Sequence, residues 1–166
     1  MNTERLRAIQ APIKEEYRSN PTAALVTLRA HGNLGENVSC SVATGQALVE
    51  AGLHPATGGT GLQACSGDML LQALAACSGV TLNAVATAMG IVLRDAKVTV
   101  EGDLDFRGTL GVDKTVPVGF QSIRLTFELE SDADEKELDK LLELTERYCV
   151  VYQTLCQPPE LTISRA

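Results

Sequence analysis

Ser66 to Gly90 reads SGDMLLQALAACSGVTLNAVATAMG, and the nature of this stretch decides the fold. No charged side chain occurs from Met69 to Leu93, and alanine, leucine and valine recur on every face, the pattern of a helix covered on all sides. Ser66 is a good N-cap, Asp68 puts a carboxylate in the first turn, and Gly90 suits a left-handed C-cap. A membrane span is the rival reading, since the run is long enough to cross a bilayer. Gln72, Ser78, Gly79, Thr81, Asn83 and Thr87 make it too polar for that, and no Lys or Arg cluster flanks it. The small residues Ala73, Ala76, Ser78 and Gly79 predict close approach by a second helix.

The chain has 166 residues and a formal charge of -7. That length fits one domain with a core of its own, residues 1–20 forming a helical lead-in. The acidic balance, with no basic stripe and no aromatic platform, argues against nucleic acid as partner. MNTERLRAIQ carries charge where an export signal needs an apolar run, so a cytoplasmic location is expected. The five cysteines, Cys40, Cys65, Cys77, Cys149 and Cys156, are too sparse for a disulfide scaffold and are expected to be thiols.

Thr3 is placed to cap a first helix, with Pro12 interrupting it. AALVTLRA (Ala23 to Ala30) and Asn37 to Ala43 read as a hairpin about the His31-Gly32-Asn33 turn, whereas Gln46 to Gly52 reads equally as short helix or strand. LHPATGGTGLQAC is a glycine-rich lead into the long helix without the spacing of a phosphate cradle. His54 within it has no second histidine or carboxylate to complete a metal set, so neither metal nor cofactor is assigned. Val98, Val100, Leu104 and Phe106 alternate, as do Ile123, Leu125, Phe127 and Leu129, predicting an antiparallel strand pair. Asp132 and Glu135 form a capping box for a second helix whose stripe Leu138, Leu141, Leu142, Thr145 and Cys149 turns Cys149 inward. ELTIS (Glu160 to Ser164) reads as a closing strand. This order of elements is α+β, with antiparallel sheets rather than βαβ repeats.

Free cysteine commonly just packs, so Cys77 and Cys149 alone carry little. No CxxC is present, which excludes a thioredoxin-like pair. ACSGDMLLQALAACSGVTL and the later LTERYCVVYQTL, however, resemble the osmotically inducible protein C and organic hydroperoxide resistance family, over most of the chain from about Gly58 onward. The resemblance implies antiparallel sheets packed on a long buried central helix in an intertwined homodimer, with active sites at the subunit interface. It implies a peroxidase acting on organic hydroperoxides and recharged by a dithiol or lipoyl-type reductant, with Cys77 as the attacking thiolate and Cys149 as the resolving thiol.

Asp68 matches the family's acidic residue, one methylene shorter than the usual glutamate, and serves equally as a helix-dipole partner. Arg29, at a strand end, is the candidate for the family's arginine, while Val150 and Tyr152 stand where the family has proline and serine. Leu74, Val80 and Thr81 are expected to wall the pocket around Cys77. Cys65 and Cys156 read as bystanders able to substitute as resolving thiol, and Cys40 as strand core. The alternative is a non-enzymatic member that binds an apolar metabolite in the same interface pocket.

Overall fold

The computed structural model describes residues 2–20, 32–34, 39–44, 47–111 and 113–165. In chain order the elements are α1 (Thr3–Ser19), β1 (Gly32–Leu34), β2 (Ser39–Thr44), β3 (Ala47–Gly52), a 3-10 turn (Pro55–Thr57) and β4 (Ala64–Cys65). They continue with α2 (Ser66–Met89), β5 (Leu93–Asp103), α3 (Phe106–Thr109), β6 (Ser122–Ser131), α4 (Glu135–Tyr148) and α5 (Val150–Cys156). The mixture is α+β, as expected. The residues gather into two compact units, one of Met1–Ser19, Ala73–Thr99 and Thr126–Ala166, the other of Asn20–Gln72 and Val100–Leu125.

In the first unit α2 buries a single line, Leu74, Ser78, Leu82 and Ala86, spaced four residues apart. Leu82 and Ala86 form a core cluster with Leu141 of α4, and Val85, Ile91, Leu93, Phe127, Leu129, Leu138 and Leu142 pack around it. The buried hydroxyls on these helices are satisfied within their own helix, Ser78 Oγ donating to the Leu74 carbonyl at 2.7 Å and Thr145 Oγ1 to that of Leu141 at 2.7 Å. Gly90 ends α2 in the left-handed region at φ 76°, with Gly90 N–H bonded to Thr87 O at 3.3 Å and Ile91 N–H to Ala86 O at 2.9 Å. These two bonds complete a Schellman motif, and the glycine anticipated at Gly90 is its left-handed residue. Here Arg94 pairs with Glu130 and Asp132, and Lys97 with Glu128, across the β5–β6 ladder.

Several expectations need correction. The helix is not covered on all sides within one chain, because Val80 stands 72% exposed and only one face meets α4 and the strands. Asn2, not Thr3, caps α1, accepting from Arg5 N–H at 2.9 Å, while the Thr3 hydroxyl donates to Thr87 O at 2.9 Å. Pro12 lies inside α1 rather than interrupting it. The capping box of α4 is Asp134 with Glu137, two residues later than the Asp132 and Glu135 box, because the helix begins at Glu135. Cys149 does turn inward, at 1% exposure, but as the residue that separates α4 from α5. ELTIS carries no strand, and Leu161 and Ile163 are 85% and 101% exposed, since an alternating pattern becomes a strand only beside a partner edge.

In the second unit β1, β2 and β3 run antiparallel in order, with Leu34 opposite Cys40 and Cys40 opposite Ala51, and β4 adds to β3 in parallel. Gln46 to Gly52 thus resolves as strand from Ala47, whereas the β-rich run Ala23 to Ala30 lies outside the described residues. Asp103 and Glu101 of β5 face Arg124 of β6, and Gln121 N–H bonds Asp103 O at 2.9 Å. In the first unit Ser131 Oγ donates to the Val92 carbonyl at 2.8 Å, Arg94 pairs with Glu130 and Lys97 with Glu128, so β5 and β6 run antiparallel as expected, although Leu104 and Phe106 of the expected alternation fall beyond the end of β5. Gly102 lies against the Phe120 ring. A Cβ there would stand 2.6 Å from a ring carbon and 3.1 Å from Leu71 Cδ2.

Gly102→Ala is expected to destabilise by about 1–3 kcal/mol through overpacking, and Leu141→Ala, at a site of 0% exposure, by about 2–5 kcal/mol through cavity formation. Urea midpoints at unchanged m-value check both.

Candidate active site

Cys77 lies on α2 beside the buried line, itself partly exposed. Cys149 faces it from the break between α4 and α5, at φ −74° and ψ 108°. The break is bonded at both sides, since Cys149 N–H donates to Thr145 O at 2.9 Å and Gln153 N–H donates to Cys149 O at 2.9 Å. Cys149 therefore closes one helix and opens the next while its side chain stays inside.

The first N–H groups of any helix lack intrahelical acceptors and must find others. The Cys149 side chain does not cap α5 in the usual way. The N–H groups of Val150 and Val151 instead act on the Cys77 thiol, and that of Tyr152 on the Cys149 thiol, each lowering the pKa of the thiol it acts on, and the two thiols act on one another.

Burial alone would push both thiols up. At Cys77 it is outweighed by the Val151 N–H, the Cys149 thiol, the Val150 N–H and the Thr81 hydroxyl, and the thiol is drawn below its ordinary range. At Cys149 burial dominates, reinforced by the neighbouring Cys77, and the thiol is pushed up. The two thiols are thus pushed in opposite directions, Cys77 down and Cys149 up. Among the described residues, every group acting on the Cys77 thiol is neutral.

Asp68 is exposed in the first turn of α2. Nine residues of helix carry it about 13 Å along the axis and about half a turn round from Cys77. Arg29 lies outside the described residues. Of the walls expected around Cys77, Leu74 is buried, Thr81 contacts the thiol and Val80 is largely exposed. Cys65 is partly buried, and the exposed Cys156 takes a hydrogen bond from the Tyr152 hydroxyl. Cys40 sits on β2, its side chain outside the described residues. No three His, Cys, Asp or Glu side chains among the described residues converge on a metal position.

Sequence reading missed the amide donors of Val150 and Val151, and nothing in the local pattern marks them. It placed Cys149 on the stripe of one helix, whereas α4 ends at Tyr148 and the β-branched pair after Cys149 begins a new helix. It also passed over a groove of about 450 Å³ on the Cys149 side, lined by Arg147, Tyr148, Cys149, Val150, Gln153 and Thr154 among others. The Arg147 guanidinium there stacks over the Tyr148 ring at 5.6 Å.

The profile of the OsmC-like protein family matches residues 59–164. This chain belongs to the OsmC-like family. Among solved structures, an OsmC-like protein from Mycoplasma pneumoniae superposes with a TM-score of 0.66 at 22% identity, over 80% of this chain and 89% of that one. An organic hydroperoxide resistance protein from Elizabethkingia anophelis gives 0.63 at 18%, over 81% and 91%. The organic hydroperoxide resistance protein OsmC of Legionella pneumophila gives 0.62 at 20%, over 80% and 91%. At these identities the likeness is one of fold. None of the curated proteins matches the chain by sequence. The OsmC-like match takes in Cys65, Cys77, Cys149 and Cys156 and leaves Arg29 and Cys40 outside it.

Iodoacetamide labelling read by mass spectrometry is expected to give Cys77 a pH midpoint below the ordinary thiol value of 9.0 and Cys149 a midpoint above it. Val150→Pro removes one amide donor at a first helical position, where proline is well tolerated, and Cys149 already has the extended backbone that a following proline requires. The Cys77 midpoint should therefore rise in this variant with little change in thermal stability.

Proposed function

We propose that this OsmC-like protein is a thiol peroxidase that reduces organic hydroperoxides through Cys77 and Cys149. The observation that carries this reading is the neighbouring pair of free thiols, one on α2 and one at the α4–α5 junction, with Cys77 drawn toward ionisation and Cys149 away from it. Thiolate is the nucleophile in sulfur redox chemistry, and a resolving thiol beside it must hold its proton until the sulfenic acid forms. The solved structures named as organic hydroperoxide resistance proteins support the substrate class.

The Cys77 thiolate attacks the terminal peroxide oxygen, the O–O bond breaks, and the departing alkoxide takes a proton to leave as an alcohol. Cys77 is then a sulfenic acid. The Cys149 sulfur, losing its proton, attacks the Cys77 sulfur and expels the hydroxyl as water, forming the disulfide. A dithiol of small or lipoyl type returns both cysteines to thiols and is itself oxidised to a disulfide.

The proposal includes a homodimer. α2 is apolar on every face yet buries only the line from Leu74 to Ala86, and Val80 and Val92, 72% and 74% exposed, lie outside it. A second copy laid on the open face would remove this surface from water and would cover the Cys77 side of the helix. Asp68 and Arg29 enter the proposal as the acidic and basic residues that act on the thiol.

A second reading, a non-enzymatic OsmC-like protein that binds an apolar metabolite, is favoured by the lack of a cation among the described groups that act on Cys77.

Purified protein under a dithiol reductant is expected to consume cumene hydroperoxide faster than hydrogen peroxide. Cys77→Ser should abolish this consumption. Cys149→Ser should allow one equivalent of oxidation and leave Cys77 as sulfenic or sulfinic acid in mass spectra. Peroxide-independent binding of a fluorescent fatty acid, with no thiol loss on peroxide treatment, would replace the peroxidase with the binding protein.

A further inference from the structure

In the first unit α1 lies beside α2, where the Thr3 hydroxyl donates to the Thr87 carbonyl at 2.9 Å. Between the two helices is a cleft of about 270 Å³, walled by Leu6 of α1 and by Val80, Asn83, Ala84 and Thr87 of α2. None of these five residues is charged, and the Thr87 hydroxyl is turned onto the Asn83 carbonyl at 2.8 Å. Val80 and Ala84 are exposed and Leu6 is half-buried, so the cleft holds apolar surface open to water.

The floor of this cleft continues the side of α2 that carries Cys77. By helix geometry Ala84 stands about 20° round the axis from Cys77 and about 10.5 Å along it, and Val80 about 60° and about 4.5 Å. Ser78 and Leu82, which face the core, lie about 100° and about 140° round in the opposite sense. A molecule reaching Cys77 along this side of the helix therefore meets Val80 first and Ala84 next, with Leu6 across from them.

We propose that the cleft between α1 and α2 holds the apolar tail of the hydroperoxide while its peroxide oxygens meet Cys77, and that Leu6 and Ala84 set how bulky a tail is taken. This rests on the peroxidase reading and names the part of the chain that chooses among organic hydroperoxides. An apolar cavity of about 150 Å³ takes benzene. One of about 270 Å³ has room for an aryl ring with a short branched alkyl group. Hydrogen peroxide has nothing to bury there. α1 precedes the residues that match the OsmC-like profile, so the outer wall of the cleft is a part that this chain adds ahead of the matched domain.

The test uses the full chain. The ratio of kcat/KM for cumene hydroperoxide to that for hydrogen peroxide is measured under a dithiol reductant in wild type, Ala84→Leu and Leu6→Ser. Leucine is a good helix former and fills the cleft from its floor. The ratio should fall about tenfold, what two buried methylenes are worth, with the change in the KM for cumene hydroperoxide. Serine at position 6 takes away the apolar outer wall and should lower the ratio in the same direction. Light scattering follows the oligomeric state, and if leucine does not fold, Ala84→Val is read in the same way. Cumyl alcohol has the same tail and no O–O bond, and it is expected to raise the melting temperature of wild type more than that of either variant. A ratio unmoved in the folded variants, a ratio that moves only together with the oligomeric state, or cumyl alcohol stabilising all three proteins alike overturns the assignment. Binding of cumyl alcohol needs no peroxide, so a wild type that ignores hydroperoxides but is stabilised by the alcohol through Leu6 and Ala84 sinks the peroxidase and leaves the cleft standing.

Discussion

The site depends on a single interruption in a helix. Had α4 run straight through Cys149, the N–H groups of Val150 and Val151 would be spent inside it. Stopping at Tyr148 and restarting at Val150 leaves them without helical partners, and both act to lower the Cys77 thiol. The break costs little, because Cys149 still donates to Thr145 and accepts from Gln153. A fold-level accident of helix ends thus becomes the electrostatics of a thiol.

That arrangement also sorts the two cysteines. Both suffer burial, which favours the protonated form, and Cys149 at 1% exposure is the more enclosed. Cys77 collects two amide donors, a thiol and a hydroxyl. Cys149 is pushed up, by burial first and then by the neighbouring Cys77. The asymmetry comes from where donors end up and not from the identity of the residues, which are the same.

Around the pair, α2 is a helix with more apolar surface than its own chain covers. Its small residues, Ser78 and Gly79 among them, bring α4 and β5 close on one side, with Val98 Cγ2 3.7 Å from the position a Gly79 Cβ would take. The other side holds Val80 exposed. The C-terminal Leu161 and Ile163 are exposed likewise, in an alternating segment without a strand to join. Apolar pattern and observed burial diverge at both places.

Local pattern was enough for much of this. An uncharged run with Gly90 after it made α2 and its Schellman end, and two alternating runs made β5 and β6, because periodicity and a left-handed glycine act within a few residues. The four-residue spacing of Leu141, Thr145 and Cys149 placed Cys149 inside. Local pattern misplaced the α4 cap by two residues, since Asp132 and Asp134 are equally good candidates. It had no means to locate the break at Cys149. Whether a chain stays helical across one residue turns on what its amides can bond to instead, and here the alternative is a sulfur 72 positions earlier, from Cys149 back to Cys77. Only the packed structure brings that acceptor within reach.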